Sequence, residues 1–293
     1  MRRIKTFDYY RPSTLKGALS LLRVYDGEAK VLAGGTDLLI SMKMKGQVPG
    51  AIINLKGIEK LKGASFSNGM LKIGALSTIH SLCNLSDKLQ IPSMFATACG
   101  SLGTPQVRNI ATVGGNLCNA SPAADLSPSL LALEAKLRIV CPTGERTVPI
   151  SNFFLGPGEA ELRRNEILAD IEIPVEPRAF GVYLKHSLRR STDLAVVGVA
   201  VSLLFGGDSH RVKEASIALG AVAPTPIRAR TAEGILKGEK ISKKLIQRAA
   251  RAAVKESKPI SDVRASADYR KEMIRVLTER ALWMAVRDYK KNR

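Results

Sequence analysis

Several features on which enzymes commonly depend are scarce in this sequence. Aromatic residues make up 5% of the 293 residues, with a single tryptophan, and the three scattered histidines form no catalytic or metal-binding group. The four cysteines are widely spaced and include no Cys-x-x-Cys pair; they are Cys83, Cys99, Cys118 and Cys141. We therefore expect no metal or iron–sulfur site within this chain, and free thiols in a reducing compartment are the simpler interpretation.

Motifs of common hydrolases and long apolar runs are absent as well. The sequence has no Gly-x-Ser-x-Gly elbow and no His-Glu-x-x-His pair. No apolar run approaches the length that crosses a bilayer, and a polar stretch rather than a hydrophobic signal segment follows the first five residues. We therefore expect a cytoplasmic protein without a membrane span. The length and the 45% hydrophobic content predict two domains with a sizeable core.

Acidic residues are few relative to basic ones. The chain has 45 Lys and Arg against 26 Asp and Glu, a formal charge of +19, and a pI of about 10. Residues 228–293 contain 19 of the basic residues and 8 of the acidic ones, so over half of the excess lies in the last quarter. This balance alone is compatible with a nucleic-acid binder. The cations recur at helical spacing without aromatic platforms, which favours a solvated helical face or an acidic partner.

What the chain does have is two glycine-rich segments. The first, residues 32–38, reads Leu-Ala-Gly-Gly-Thr-Asp-Leu and lies between a predicted strand and a predicted helix. Amides at such a turn bind phosphate. The spacing fits neither the three glycines of the Rossmann fold nor the Gly-Lys-Ser/Thr of the phosphate loop, so both of these nucleotide folds are disfavoured.

The second segment, residues 112–125, contains adjacent glycines at Gly114 and Gly115. They permit positive φ angles and let a ligand approach the main chain, and Asn116 adds a hydrogen-bonding group. Asp125 is the only carboxylate in the segment and suits a ribose diol. Ser127-Pro128 resembles the cap and first residue of a helix. A tight turn between a strand and a helix is the alternative, but two separate glycine segments suggest a long cofactor held between two lobes.

These residues resemble a known family. Residues 33–38, 108–116, 120–125 and 185–193 occur in the order found in FAD-binding medium subunits of molybdenum hydroxylases, such as carbon monoxide dehydrogenase medium subunits and xanthine dehydrogenase FAD-binding subunits. Residues 218–226 look like the C-terminal domain of that family. The resemblance covers essentially the whole chain. Either glycine segment by itself would be a weak indication, whereas the pair is specific.

The resemblance implies an α+β fold. It consists of a two-lobed FAD-binding domain of the PCMH (vanillyl-alcohol oxidase-like) type and a C-terminal α+β domain of the CO dehydrogenase flavoprotein type. We place the first lobe at residues 1–57, the second lobe at 58–176 and the C-terminal domain at 177–293.

The resemblance also implies the FAD contacts. They are Leu32, Ala33, Gly34, Gly35, Thr36, Asp37, Leu38, Ala111, Thr112, Gly114, Gly115, Asn116, Asp125, Leu168 and Lys185. The glycines and threonines would hold the pyrophosphate, and Asp125 a ribose or ribityl hydroxyl. Lys185 would lie near the isoalloxazine or the pyrophosphate, where a positive charge stabilises anionic reduced flavin. Two alternatives stay open: Leu168 as plain sheet core, and residues 189–193 as a structural ion pair.

The function implied is that of an oxidoreductase subunit. It would pass electrons from [2Fe-2S] clusters on a small subunit, served by a molybdopterin-binding large subunit, through FAD to an external acceptor. The assembly would be a dimer of heterotrimers, a heterohexamer. The substrate and the acceptor are not fixed by this chain. A stand-alone flavin-binding or interaction module is the alternative function.

Local patterns predict the main helices and strands. Asn68-Gly69 is a strong hairpin signal. The sole tryptophan, Trp283, is expected to anchor the last helix to the sheet or to a partner. Helices are predicted near 13–22, 38–42, 78–82, from 92 onward, 228–236, 242–255 and 266–289, and strands near 30–32, 51–54, 136–140, 166–174, 196–205 and 211–219.

Overall fold

The first lobe is a small parallel sheet with two helices. The computed structural model describes residues 6–46, 48–84, 89–189, 192–206 and 210–292. The sheet has the order β1-β3-β2, and its strands and helices follow the chain as β1 (Asp8–Tyr10), α1 (Leu15–Tyr25), β2 (Ala29–Leu32), α2 (Leu38–Lys45) and β3 (Ala51–Asn54). Both pairings are parallel. The strand β1 was not predicted, because three residues are too few for a periodic pattern.

The helix α1 forms where its cap and apolar spacing predict it. The Thr14 side chain accepts a hydrogen bond from the backbone N–H of Gly17, and Ala18, Leu19 and Leu22 are buried. The helix continues one turn beyond the predicted end and stops at Asp26, which is left-handed with φ 36°. The helix therefore forms where it was predicted, but its C-terminal end lies at Tyr25 rather than near residue 22.

The second lobe is built on an antiparallel sheet with the strand order β4-β5-β10-β6-β7. Its strands are β4 (Ala64–Ser67), β5 (Met70–Gly74), β6 (Lys136–Cys141), β7 (Gly144–Pro149) and β10 (Ile167–Pro174), with a separate hairpin of β8 (Phe154–Gly156) and β9 (Glu159–Ala160). The predicted hairpin joins β4 to β5, with positive φ at Asn68 and Gly69. Five short helices cover the sheet: α3 (Ile79–Asn84), α4 (Ser93–Ser101), α5 (Pro105–Arg108), α6 (Val113–Cys118) and α7 (Leu126–Ala132).

The start of α7 differs from the prediction. Ser127 and Pro128 lie inside the helix rather than at its cap, and Asp125 occupies the cap position without a side-chain hydrogen bond to the helix. Every residue of α7 is buried. The sequence pattern of a surface helix cap was misleading, because this helix lies between two domains and its polar residues are buried with it.

The C-terminal domain is a second antiparallel sheet covered by three helices. The strands pair in chain order as β11 (Ala179–His186), β12 (Val197–Phe205), β13 (Val212–Gly220) and β14 (Ile227–Arg228), and the helices are α8 (Arg230–Leu236), α9 (Lys243–Glu256) and α10 (Ala267–Lys291). The strands β12 and β13, which pair with each other, correspond to the strands predicted near 196–205 and 211–219. The strand β11 was not predicted. Arg190 and residues 207–209, between β12 and β13, lie outside the described residues.

Trp283 does not anchor α10 to the sheet. It is 42% exposed, whereas Ile274, Leu277, Ala281 and Ala285 of the same helix are buried in the core of this domain. The sheet interpretation was therefore wrong, and a contact with a partner stays a prediction.

A buried arginine ties α10 to the C-terminal sheet. Arg270 is 1% exposed, and it donates to the carbonyls of Val196 and Ala221 and to Asp262 Oδ1 at 2.6, 3.0 and 2.8 Å. Burial opposes ionisation of Asp262, but hydrogen bonds from Arg264 and Arg270 outweigh it and hold the pKa of Asp262 well below its ordinary value. The helix is thus fixed to the chain at the start of β12.

The helix α7 joins the second lobe to the C-terminal domain. It packs against β12 and β13, and Ala200 and Ala218 of these strands belong to the same apolar core as Leu126 and Leu130. A Cβ on Gly220 would lie 2.6 Å from Cγ of Pro128. Glycine at this position therefore allows the close approach of the sheet to α7.

We expect Gly220→Ala to lower the free energy of unfolding by about 1–3 kcal/mol, because the Pro128 ring is rigid and the added methyl overpacks the contact. Urea denaturation followed by circular dichroism measures this. Gly234→Ala is the matched control, since Gly234 lies in α8 with no atom within 4 Å of an added Cβ. The control is expected to gain about 0.5–1 kcal/mol from helix propensity. Equal stabilities of the two variants would contradict the packing argument.

Candidate functional site

The first glycine segment forms the turn between β2 and α2. Leu32 ends the strand, Leu38 begins the helix, and Gly35 has a left-handed φ of 86° that favours glycine. Within the described residues, the backbone N–H groups of Gly34, Gly35 and Thr36 donate to no protein acceptor. These donors lie next to the start of a helix, where backbone amides bind anions. The contact with a phosphate stays a prediction.

The second glycine segment is a capped helix rather than an open loop. Thr112 caps α6, and its Oγ1 accepts the backbone N–H of Gly115 at 3.1 Å. The N–H of Gly114 donates to the Ala75 carbonyl at 2.9 Å. Neither glycine has a positive φ. The expectation of positive φ was therefore wrong, and the amides of Gly114 and Gly115 are already engaged by the protein.

Space, rather than backbone freedom, requires glycine at position 114. An added Cβ would lie 2.6 Å from Cβ of Ala75 and 2.8 Å from its carbonyl oxygen. This close contact holds α6 against the chain that follows β5. The second segment thus builds the wall of the site, and the first segment provides its free amides.

The two segments lie against each other. A Cβ on Gly34 would be 2.5 Å from the carbonyl oxygen of Ile110 and 3.0 Å from Cα of Ala111, and one on Gly115 would be 3.7 Å from Cβ of Ala33. Residues about 75 positions apart in sequence thus meet at one place. The juxtaposition predicted from two separate glycine pairs is present in the fold.

Lys56 is a candidate site residue that the sequence analysis missed. Its Nζ lies 3.4 Å from the carbonyl oxygen of Gly34. Lys56 follows β3, and Asn54 at the end of β3 is in register with Leu32 at the end of β2. The parallel pairing of these strands was the signal that could have placed this cation beside the glycine turn, because parallel strands end at the same edge of a sheet.

A buried cluster of three polar side chains lies at the border of the second lobe and the C-terminal domain. Lys185 Nζ is 2.9 Å from Asp125 Oδ2 and 3.1 Å from the Ser101 carbonyl, and the Tyr183 hydroxyl is 3.1 Å from Asp125 Oδ1. The side chains of Lys185 and Asp125 are 10% and 8% exposed. The structure therefore brings together two residues, Asp125 and Lys185, that the sequence analysis had predicted to contact different parts of FAD.

Burial raises the pKa of two side chains of this cluster, Asp125 and Tyr183. It raises the pKa of the Asp125 carboxyl above its ordinary value, and the charge and hydrogen bond of Lys185 partly offset that rise. Burial and the neighbouring Asp125 raise the pKa of Tyr183 well above its ordinary value. The Tyr183 hydroxyl therefore keeps its proton and donates it in the hydrogen bond to Asp125.

A cleft of about 240 Å³ opens beside the cluster. Its lining combines hydroxyl groups with the Lys185 ammonium; the lining residues are Thr97, Ser101, Tyr183, Leu184, Lys185, Ser187, Thr192 and Asp193. Both the second lobe and the C-terminal domain contribute to it.

Three other predicted FAD contacts, Asp37, Asn116 and Leu168, differ in burial and in hydrogen bonding. Asp37 caps α2 without a side-chain hydrogen bond to the helix, and its Oδ2 accepts a long bond from Thr36 at 3.5 Å. The Oδ1 of Asn116 is buried with no hydrogen-bond partner among the described residues, and its contact with a cofactor stays a prediction. Leu168 is 4% exposed and lies in the core of the second lobe, as its sheet-core alternative proposed.

The two arginines near the site, Arg108 and Arg189, form hydrogen bonds with residues close to them in sequence, and Arg189 also forms an ion pair. The Arg108 guanidinium donates hydrogen bonds to the carbonyls of Leu102 and Gly103, a few residues before it in the chain. The backbone N–H of Arg189 donates to Asp193 Oδ2, and its Nε lies 3.8 Å from the same carboxylate. The ion-pair alternative for residues 189–193 therefore describes Arg189 and Asp193.

The described residues contain no cluster of acidic, histidine or cysteine side chains able to hold a metal. Nor does any helix in the described ranges have the length and apolarity to cross a bilayer. Four of the five basic residues of α9 form one exposed row, and no ion pair within the described part of the chain involves any of the five; the row is Lys244, Arg248, Arg251 and Lys255. This is the solvated helical face that the sequence suggested.

Two family models match consecutive parts of the chain. The FAD binding domain in molybdopterin dehydrogenase matches residues 5–176. The CO dehydrogenase flavoprotein C-terminal domain matches residues 182–285. The glycine segments, Asp125 and Leu168 lie within the first match, and Lys185 lies within the second.

Relatives match over nearly the same length. The xanthine dehydrogenase FAD-binding subunit of Escherichia coli O157:H7 is 33% identical over 282 residues, 95% of each chain. The carbon monoxide dehydrogenase medium chain of Hydrogenophaga pseudoflava is 33% identical over 276 residues, 94% of this chain and 96% of that one. A solved structure of the carbon monoxide dehydrogenase from H. pseudoflava, lacking the Mo-pyranopterin moiety, matches with a TM-score of 0.92 at 33% identity, over 97% of this chain and 98% of the other.

Proposed function

The chain belongs to the family of FAD-binding subunits of molybdenum hydroxylases, and from this premise we propose that it binds FAD between its glycine segments and its Asp125–Lys185 cluster. The observation that supports this site most directly is the contact between the two segments, where Gly34 meets Ile110 and Ala111. Free amides, a glycine turn and an unpartnered Asn116 oxygen at one place fit a dinucleotide cofactor.

Different residues of the proposed site bind the pyrophosphate and form the wall. The amides of Gly34, Gly35 and Thr36 hold the pyrophosphate, and the Lys56 ammonium adds positive charge beside them. Thr112, Gly114 and Gly115 shape the wall, because their hydrogen-bonding groups are already engaged: Thr112 and Gly115 bond to each other at the cap of α6, and the Gly114 N–H donates to the Ala75 carbonyl. The further predicted contacts at Leu32, Ala33, Asp37, Leu38, Ala111, Asn116 and Leu168 complete the proposed site.

No side chain in this site has to act as an acid or a base. Bound FAD supplies hydride and one-electron chemistry. Lys185 lines the cleft with its side chain 10% exposed, where a positive group stabilises negative charge on a bound ring. The protein therefore binds and orients the reactive group.

The chain acts within a larger oxidoreductase. Its relatives include medium chains of carbon monoxide dehydrogenase, and we place it between a small subunit with [2Fe-2S] clusters and an external acceptor, with a molybdopterin-binding large subunit as the origin of the electrons. The assembly is a dimer of heterotrimers in the cytoplasm. Within the chain, residues 1–57 and 58–176 form the FAD lobes and 177–293 the C-terminal domain. The substrate belongs to the large subunit, since the relatives named differ in substrate.

An absorption spectrum tests the proposal. The purified chain, mixed with FAD and then desalted, is expected to keep the visible flavin bands. A parallel preparation co-expressed with its neighbouring subunits is expected to contain flavin, iron–sulfur and molybdenum together. Flavin retained by a chain that purifies with no partner would favour the stand-alone module. Absence of flavin from both preparations would refute the proposal.

A further inference from the structure

The ammonium of Lys185 has one hydrogen-bond donor left over. An ammonium carries three N–H groups, and two of them are used by Asp125 Oδ2 at 2.9 Å and by the Ser101 carbonyl at 3.1 Å. Lys185 also lines the cleft. The third N–H is therefore available to a group bound in the cleft.

Both oxygens of Asp125 are engaged by protein donors. Oδ2 accepts from Lys185, and Oδ1 accepts from the Tyr183 hydroxyl at 3.1 Å. The carboxylate makes no capping bond to α7, although it occupies the cap position. A carboxylate held at both oxygens has a fixed plane, so Asp125 is better placed to orient Lys185 than to hold a cofactor hydroxyl.

Tyr183 is itself held in place. It is 4% exposed and belongs to the core of the second lobe, although it lies on a strand of the C-terminal domain. A Cβ on Gly198 would lie 3.2 Å from its hydroxyl oxygen, so glycine on β12 leaves room for the phenol. Tyr183 and Lys185 are two residues apart on β11, and alternation along a strand places both on one face.

From this geometry we infer that Tyr183, although its side chain also lines the cleft, is a positioning residue of the flavin site that acts on the cofactor through Asp125 and Lys185. Its hydroxyl fixes the carboxylate of Asp125, and the carboxylate fixes the ammonium with one N–H directed to the cleft. This inference rests on the proposed function. The Asp125–Lys185 pair is neutral as a whole, so the direction of that N–H matters more for the flavin than net charge does.

A double-mutant cycle tests the inference. The proteins are the parent chain, Tyr183→Phe, Lys185→Met and the double variant, each loaded with FAD. The dissociation constant of FAD is measured by flavin fluorescence, and the midpoint potential of bound FAD by spectroelectrochemistry. Tyr183→Phe is expected to weaken FAD binding about 3- to 10-fold and to shift the potential when Lys185 is present. In the Lys185→Met background the same change is expected to alter neither quantity.

Tyr10→Phe is the matched control. It also removes one phenolic hydroxyl, which lies 2.8 Å from the hydroxyl of Tyr25 in the first lobe, away from the cluster. It is expected to leave affinity and potential at the parent values. If Tyr183→Phe weakens binding equally in both backgrounds, or leaves the potential unchanged in the parent background, the inference is wrong while the proposed function stands. If the parent binds no FAD, alone or in its complex, the proposed function fails and the inference with it.

Discussion

The Gly34→Ala variant is expected to lose FAD on desalting, under conditions in which the parent chain keeps it. The added Cβ would lie 2.5 Å from the Ile110 carbonyl oxygen, and this neighbour is backbone that cannot rotate away. The two glycine segments must therefore separate, and the free amides move from the pyrophosphate. An overpacking cost of about 1–3 kcal/mol corresponds to roughly 5- to 150-fold weaker binding. The ratio of flavin to protein absorbance after desalting, and a titration with FAD, measure the loss.

Two further glycine variants separate cofactor loss from unfolding. Gly234→Ala makes the same substitution on the exposed side of α8 and is expected to keep FAD as the parent does. Gly114→Ala, whose Cβ would meet Ala75, is expected to lose FAD together with stability, because it displaces α6. Thermal unfolding of the FAD-free proteins identifies any general loss of structure. Normal FAD affinity in Gly34→Ala would show that the contact between the segments is not needed for binding.

The Lys185→Met variant is expected to lose about 3–5 kcal/mol of stability near neutral pH, because it leaves the buried carboxylate of Asp125 without its counter-charge. Among the residues that the structure describes, the Tyr183 hydroxyl then remains as the only side-chain donor to that carboxylate. Urea denaturation at neutral pH measures the loss. FAD binding weakens in the same variant, because the donor that faces the cleft is gone.

The loss is expected to depend on pH. Burial already raises the pKa of Asp125 in the parent, and removal of Lys185 takes away the attraction that offsets it. A carboxyl whose pKa is higher in the folded than in the unfolded state binds its proton more tightly when folded. Its contribution is therefore most favourable below the unfolded pKa and is lost as the pH rises through the folded pKa. The variant is expected to approach the parent at about pH 5 and to fall behind it at about pH 8.

The double variant Lys185→Met with Asp125→Asn provides the control. The asparagine is isosteric and keeps an oxygen that accepts from Tyr183, so neither a charge nor an unpaired hydroxyl is left buried. It is expected to regain most of the stability and to lose the pH dependence. A Lys185→Met chain with the same stability at both pH values would contradict the assignment of Asp125 as the group responsible.

The position of this cluster explains why the proposed site includes the C-terminal domain. Tyr183 and Lys185 lie on β11, whereas Asp125 precedes α7 of the second lobe. The buried helix α7 holds the two domains together, and Gly220 permits its close contact with the sheet. A change that loosens this contact, such as Gly220→Ala, also moves the ammonium relative to the glycine segments.

The family, the α+β class and most of the secondary structure could be predicted from the sequence. Apolar residues at helical spacing predicted α1, and Asn68-Gly69 predicted the hairpin, because these signals depend on residues that are neighbours in the chain. The resemblance to FAD-binding subunits of molybdenum hydroxylases, made on the glycine segments and on residues 185–193, is confirmed. The cofactor follows from the family, and the predicted site residues stay predictions.

The arrangement of those residues could not be predicted and emerges only from the folded chain. Folding turned the second glycine segment into a helix with engaged amides, added Lys56 beside Gly34 and joined Asp125 to Lys185 through a hydrogen-bonded pair. It also buried Ser127 and Pro128 within α7. These outcomes depend on contacts between residues far apart in sequence. A local pattern identifies a residue's type and its preferred backbone, but the space around a Cβ and the partner of a buried charge exist only once separate elements have packed together.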